Sequence, residues 1–165
     1  MDTIQNTFIT ADETSNNGNL AHHGMPNWLQ NFIDVYQRLG TDNLNLIDTI
    51  YHPQVTFKDP MHLVVGLDEL KHYFDNIYTN LISCQFVIDE VIYKDNKAAV
   101  YWRMTFIHKK LNSADPITVE GHTKLIGEQD KVIYHRDYID VGAMLYEHIP
   151  VLGRVIRYIK TRVQS

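Results

Sequence analysis

Apolar residues fall into helical register as soon as the chain passes Pro26. Trp28, Leu29, Phe32, Ile33, Tyr36 and Leu39 recur three or four apart and share one face. Pro26 suits the first turn of that helix and Gly40 its stop. A second helix is predicted after Thr41 or Asp42, either of which can cap it, with Leu44, Ile47, Ile50 and Tyr51 as its apolar positions and Pro53 as its end. "VTFKDP", Val55 to Pro60, reads as a short strand, and "MHLVVG" as a connector. Asp68 opens a third helix, "DELKHYFDNIYTNL", with Leu70, Tyr73, Phe74, Ile77 and Leu81 on one face. From Ser83 the period shortens to that of a strand. Four runs follow, "CQFVIDEVIY", "KAAVYWRMTFIHKK", "ITVEGHTKLI" and "KVIYHRDYID", separated by the turn sequences "KDN", "LNSADP" and "GEQD". Evenly spaced strands with short turns predict an antiparallel meander. With the helices first and the sheet second, the class is α+β.

The two ends differ from this middle. Residues 1–25 form a polar arm rich in Asn, Thr and Asp, without periodicity. Residues 26–142 read as one domain, and 143–165 as a basic amphipathic helical extension. Gly142 to Glu147 predicts a short helix, interrupted near Pro150. Beyond it Leu152, Val155, Ile156, Ile159 and Val163 form a stripe, with Arg154, Arg157, Lys160 and Arg162 off it and no acidic residue to balance them. Such a helix can close the domain, pair with a second subunit, or lie on an anionic membrane surface.

Composition changes the picture in three places. The 165 residues suit one domain with a sizeable core, and 44% hydrophobic with 21% charged residues is ordinary for a globular chain. A net charge of −5 offers no electrostatic footprint for nucleic acid. The single cysteine, Cys84, excludes an intrachain disulfide; set in "LISCQFVI", it reads as a buried, inert thiol. No apolar run reaches the roughly 18 residues of a membrane span, and no basic-then-apolar leader opens the chain. The expected location is the cytoplasm.

Strand parity nominates the interior. In the second long run Val100, Trp102, Met104 and Phe106 point inward and Tyr101, Arg103 and Thr105 outward. In the third, Ile117, Val119, Gly121, Thr123 and Leu125 alternate with Glu120, His122 and Lys124, so parity puts His122 outside. In the fourth, one face carries Ile133, His135, Asp137 and Ile139, the other Tyr134, Arg136, Tyr138 and Asp140. Both faces hold charge, and alternation alone does not choose between them.

The order helix, helix, "YHPQVTFKDP", loop to Gly66, helix, four strands resembles the nuclear transport factor 2-like superfamily, and within it the SnoaL-like group that includes polyketide cyclases; ketosteroid isomerases and limonene epoxide hydrolases are relatives. The resemblance covers Pro26 to about Gly142 and rests on "VTFKDP…G" and "HRDYIDVG". It implies a curved antiparallel sheet wrapped as a cone around three N-terminal helices, with the C-terminal amphipathic helix as an addition. The cone's mouth is the usual ligand pocket. It also turns His135 and Asp137 inward, because Asp137 falls where the epoxide hydrolases keep a catalytic aspartate in an "RDY" strand and the cyclases keep their base on the same strand. Asp59, in "KDP", resembles the segment carrying the isomerases' general base; Asp before Pro is equally common turn chemistry. A carboxylate beside apolar walls is the kind of group that works as a base on a carbon acid. Asp59, His135 and Asp137 are therefore the candidate acid/base set. Tyr36, Phe57, Phe74, Val100, Trp102, Met104, Phe106 and Ile139 are the expected substrate-binding residues. His122 joins them only on an ungapped comparison with the isomerases, which places it near their second catalytic acid.

The resemblance is incomplete. The isomerases' oxyanion-hole tyrosine matches a position near Ile33, with Tyr36 one turn away. The hydrolases' Arg and Asp fall near Trp102 and Met104, and their water-holding Tyr and Asn become Phe57 and Asp59. What is implied is a cofactor-independent acid/base isomerase, cyclase or lyase acting on a hydrophobic carbonyl compound, or else a non-catalytic ligand-binding or scaffolding homodimer formed through the sheet. No Gly-rich phosphate loop or nucleophile elbow is present. The nine histidines match no zinc spacing, "AHHG" lying in the arm, so neither metal nor cofactor is expected.

Overall fold

The computed structural model describes residues 8–10 and 24–163, with side chains from residue 24 onward. The arm read over residues 1–25 therefore lies largely outside the described residues, including the histidines of "AHHG". Its segment Phe8–Thr10 forms a short strand, β1.

Helix α1 spans Asn27–Arg38 and buries Trp28, Leu29, Phe32, Ile33, Val35 and Tyr36. The Pro26 carbonyl accepts from Leu29 N and Gln30 N at the start, and Asn43 Oδ1 catches Gly40 N at 2.7 Å after the end. Leu29, Phe32 and Ile33 are almost wholly removed from water, each contributing roughly 1.5–3 kcal/mol of hydrophobic stabilisation. The expected second helix is shorter than its apolar pattern: a 3-10 turn at Leu44–Leu46, then α2 over Ile47–Ile50. Tyr51 already belongs to strand β2, Tyr51–Lys58, and Pro53 sits inside that strand. Strand β3, Leu63–Val65, hairpins back onto β2. Gly66 then takes φ +94, a left-handed conformation suited to glycine. Helix α3, Leu67–Tyr78, follows, with Asp68 and Glu69 placed to favour its N-terminal dipole and Leu70, Phe74 and Tyr78 buried.

The meander comprises β4 (Leu81–Lys94), β5 (Lys97–His108), β6 (Ile117–Glu128) and β7 (Lys131–Ile139), antiparallel throughout. The sheet order is β1-β4-β5-β6-β7-β2-β3. One pairing departs from the all-antiparallel expectation: β2 runs parallel to β7. The sheet is therefore mixed. The α3 and meander crossover separating β2 from β7 in sequence supplies the long connection a parallel pair needs. A bulge between Ile88 and Glu90 shifts the parity of β4, so Cys84 and Ile88 on one side of it and Val91 on the other all face inward.

After β7 come α4 (Val141–Met144), capped by Asp140, a 3-10 turn at Tyr146–His148, and helix α5 (Pro150–Val163). Among the described residues no helix is long and apolar enough to cross a membrane.

Candidate functional site

Register builds the site. In the β6–β7 ladder Thr123 opposes Asp137 and Leu125 opposes His135. In the parallel β2–β7 ladder Phe57 lies beside His135, ring centroids 4.6 Å apart. Side chains at 135 and 137 thus face the helices, and Tyr138 on the opposite face is 37% exposed. His135 has no exposure at all. It is enclosed by the rings of Phe32, Tyr36, Tyr51 and Phe57.

A buried hydrogen-bond chain runs through this point. Tyr36 Oη meets Tyr51 Oη at 2.5 Å, Tyr51 Oη meets His135 Nδ1 at 2.7 Å, and His135 Nε2 meets Asp137 Oδ1 at 2.7 Å. From the other side Trp102 Nε1 donates to Thr123 Oγ1 at 2.8 Å, and Thr123 Oγ1 donates to Asp137 Oδ1. One assignment satisfies every donor with a neutral imidazole: Tyr36 donates to Tyr51, Tyr51 to Nδ1, and Nε2–H to the carboxylate. Burial first, then the neighbouring hydroxyl and Asp137, pushes the Tyr36 phenol well above its ordinary range; burial does the same to Tyr51. Both stay protonated and available as donors.

All of these bonds reach one oxygen of Asp137. Oδ2 accepts none among the described residues, and Asp137 lines a cavity of about 320 Å³. The cavity wall is mostly apolar: Tyr36, Phe57, Phe74, Phe86, Met104, Phe106 and Ile139, with Met144 and Leu145 from the segment after β7. Asp59 also reaches the wall, but its oxygens are occupied. Oδ1 accepts from Met61 N at 2.7 Å and His62 N at 2.6 Å, and Oδ2 accepts from the Tyr73 hydroxyl. Burial and that bond raise the Tyr73 phenol, so it remains a donor. Asp59 is the keystone of a turn that presents Met61 and Tyr73 to the cavity.

Several expected residues lie elsewhere. Val100 and Trp102 face inward without forming the cavity wall. Val100 lies between Val91 of β4 and Thr123 of β6 in the middle of the sheet. The Trp102 indole lies across Gly121, where an added Cβ would come within 2.5 Å of its ring. That placement turns Nε1 toward Thr123, so Trp102 supports Asp137 from behind. His122 is on the outer face, as parity placed it and against its inclusion among the binding residues. It stacks between Tyr101 and Tyr138, centroids at 5.3 and 4.6 Å. His135 contacts Asp137 but does not border the cavity.

Sequence reasoning passed over Tyr51, taken there as an apolar helix position, although its hydroxyl joins Tyr36 to His135. It also passed over Thr123, whose polarity in an otherwise apolar inward row was the available signal. His108, at the end of β5, also lines the cavity, and burial together with Lys110 and Lys109 lowers its pKa. Cys84 lines it too; burial pushes the thiol up to about 11.

Residues 30–135 match the family described as SnoaL-like domain. No curated protein matches. Among solved structures, a SnoaL-like polyketide cyclase from Jannaschia sp. aligns with TM-score 0.63 at 13% identity, covering 72% of this chain and 89% of that one. An NTF2-like protein of unknown function from Burkholderia pseudomallei aligns with TM-score 0.64 at 16% identity, covering 73% and 96%. A protein of ketosteroid isomerase-like fold from Catenulispora acidiphila, in complex with trimethylamine, gives TM-score 0.62 at 13% identity, covering 78% and 93%. At these identities the likeness is one of fold.

Proposed function

The chain belongs to the SnoaL-like domain family, and from that premise we propose that it binds a hydrophobic carbonyl compound and acts on it by acid/base chemistry, with Asp137 as the base. The state of Asp137 supports this above all: one carboxylate oxygen is anchored by His135 and Thr123, and the other is left to a mostly apolar cavity. A carboxylate fixed in that way is oriented before substrate arrives.

The step takes a proton from the carbon next to a carbonyl onto Asp137 Oδ2. The C–H electron pair passes to the carbonyl oxygen as an enolate. Isomerase, cyclase and lyase reactions each proceed from that species by returning the proton elsewhere, forming a carbon–carbon bond, or expelling a leaving group. Tyr36 borders the same cavity and is kept protonated by burial; to meet the enolate oxygen it turns its one O–H away from Tyr51, which still donates to His135 and loses only an acceptor contact. His135 and Tyr51 position these two groups, and Asp59 holds the turn at the rim. The apolar wall supplies the affinity.

The test uses 2-tetralone, a bicyclic ketone with an acidic carbon. In D2O the protein is expected to bind it and to accelerate deuterium entry at that carbon. Binding with exchange no faster than in buffer rejects the catalytic reading and leaves a ligand-binding protein. We further propose a homodimer through the outer face of the sheet, where Tyr101, His122 and Tyr138 stack in the open with Arg136 over Tyr138. Sedimentation equilibrium checks it; a monomer at micromolar concentration removes it.

A further inference from the structure

An amphipathic terminal helix ordinarily turns its apolar stripe to the core. Helix α5 does the reverse. It rests chiefly on the turn Tyr146–His148, and the side it presents there is glycine and base. Gly153 is its one buried residue, so close to the turn that an added Cβ would stand 2.2 Å from the Glu147 carbonyl oxygen. Lys160 Nζ meets Glu147 Oε1 at 2.5 Å, and Arg157 reaches the Glu147 carbonyl. At about 100° per residue, Val151, Leu152, Val155, Ile159 and Val163 fall on the side turned away. All five are exposed, Val151 at 69% and Val163 at 82%.

We propose that this outward face of α5 docks on an anionic phospholipid surface. The charge pattern selects that occupant. Residues 150–163 carry Arg154, Arg157, Lys160 and Arg162 and no carboxylate. Arg157 and Lys160 turn to Glu147, so Arg154 and Arg162 are the cations beside the outward face, and a second copy packed there would meet them with cations of its own. The chain's own segment 11–23 offers only Ala11, Leu20 and Ala21 as apolar cover. A bilayer of anionic lipid accepts the apolar row between its headgroups and sets phosphate and carboxylate against Arg154 and Arg162 at the row's borders. Tyr158, 60% exposed at the border of the row and covered by the Arg162 guanidinium, has the amphipathic character of an interfacial anchor. The net −5 of the whole chain makes the attraction local to this helix.

The experiment is cosedimentation of the full chain with vesicles of three parts phosphatidylcholine to one part phosphatidylserine, and with phosphatidylcholine alone. The expected result is binding to the first that weakens at 1 M salt, where the Debye length falls to about 3 Å, and little binding to the second. Val155→Asp with Ile159→Asp lowers the partition coefficient by about tenfold or more per site while leaving the urea unfolding midpoint unchanged, since both side chains are exposed. Arg154→Glu, whose side chain among the described residues bonds only to Pro150 within its own helix, weakens binding to the anionic vesicles several-fold. Failure of the native chain to bind the anionic vesicles, or equal binding by the double variant, overturns the proposal. So does a dimer that the double variant dissociates without any vesicle binding, which would make a second copy the occupant.

Discussion

Tyr51→Phe removes one oxygen atom and strands two partners. His135 Nδ1 loses its donor at a site without solvent exposure, and an unsatisfied buried acceptor costs about 1–3 kcal/mol. Tyr36 loses its acceptor too, but it borders the cavity and can turn its O–H to water there, which limits that loss to roughly 1 kcal/mol. The sum is about 2–4 kcal/mol. Tyr36→Phe is a milder change. Tyr51 still donates to His135, only one of its acceptor sites empties, and no buried donor is orphaned, so the expected loss is about 1 kcal/mol or less. For a chain of this size the difference corresponds to roughly 3–10 °C in Tm. Urea unfolding of both variants, with m unchanged, measures it. A double-mutant cycle of Tyr51→Phe with His135→Leu adds a coupling on the order of 0.5–3 kcal/mol. Equal destabilisation by the two tyrosine variants, or a larger loss for Tyr36→Phe, refutes the donor order assigned to the chain.

Gly121→Ala places a methyl 2.5 Å from the Trp102 ring; overpacking of this kind costs about 1–3 kcal/mol, and a changed Trp102 fluorescence should report loss of the Thr123 bond. With its thiol pushed up to about 11 from 9 by burial, Cys84 should alkylate at pH 8 about a hundredfold slower in the folded chain than in urea; equal rates contradict its burial. The same shift carries a sign. The unfolded thiol ionises first as pH rises, so the contribution of Cys84 to stability is complete below pH 9 and is lost on the way to 11; a Cys84→Ala variant whose alkaline decline is as steep as the native chain's would contradict this. Asp59→Asn retains an oxygen for the Met61 and His62 amides and should keep 2-tetralone exchange within about threefold, whereas complete loss would make Asp59 the base.

The helices and the meander were legible because their apolar periods are long and uninterrupted, as in α1 and β5. The parallel β2–β7 pair was not, since nothing local in "YHPQVTFKDP" or "VIYHRDYID" records which distant strand each will join. Tyr51 shows the same limit. Its neighbours Ile47 and Ile50 share a helical stripe with it, and only the tertiary contact with His135 reveals that its hydroxyl matters more than its ring. On β7 both faces carry charge, so parity gave two answers; the choice came from the resemblance, and the packing of Phe32 and Phe57 against His135 is its physical reason. His122 illustrates the reverse case, where parity was the sounder guide and counting across turns of variable length misled. The apolar stripe of α5 is legible in the sequence, although the outward row includes Val151 and leaves Ile156 half-buried; its direction depends on Gly153 and the Glu147 carbonyl, a close approach no periodicity encodes.

The rate of deuterium entry into 2-tetralone, compared between the native chain and Asp137→Asn at saturating ketone, tests the central claim most directly. Asn keeps the shape and an oxygen for Thr123 but cannot take the proton, so exchange should fall by about 10²–10⁴ while the dissociation constant for the ketone stays within about threefold. An Asp137→Asn protein that binds the ketone and exchanges it at the native rate would contradict the account.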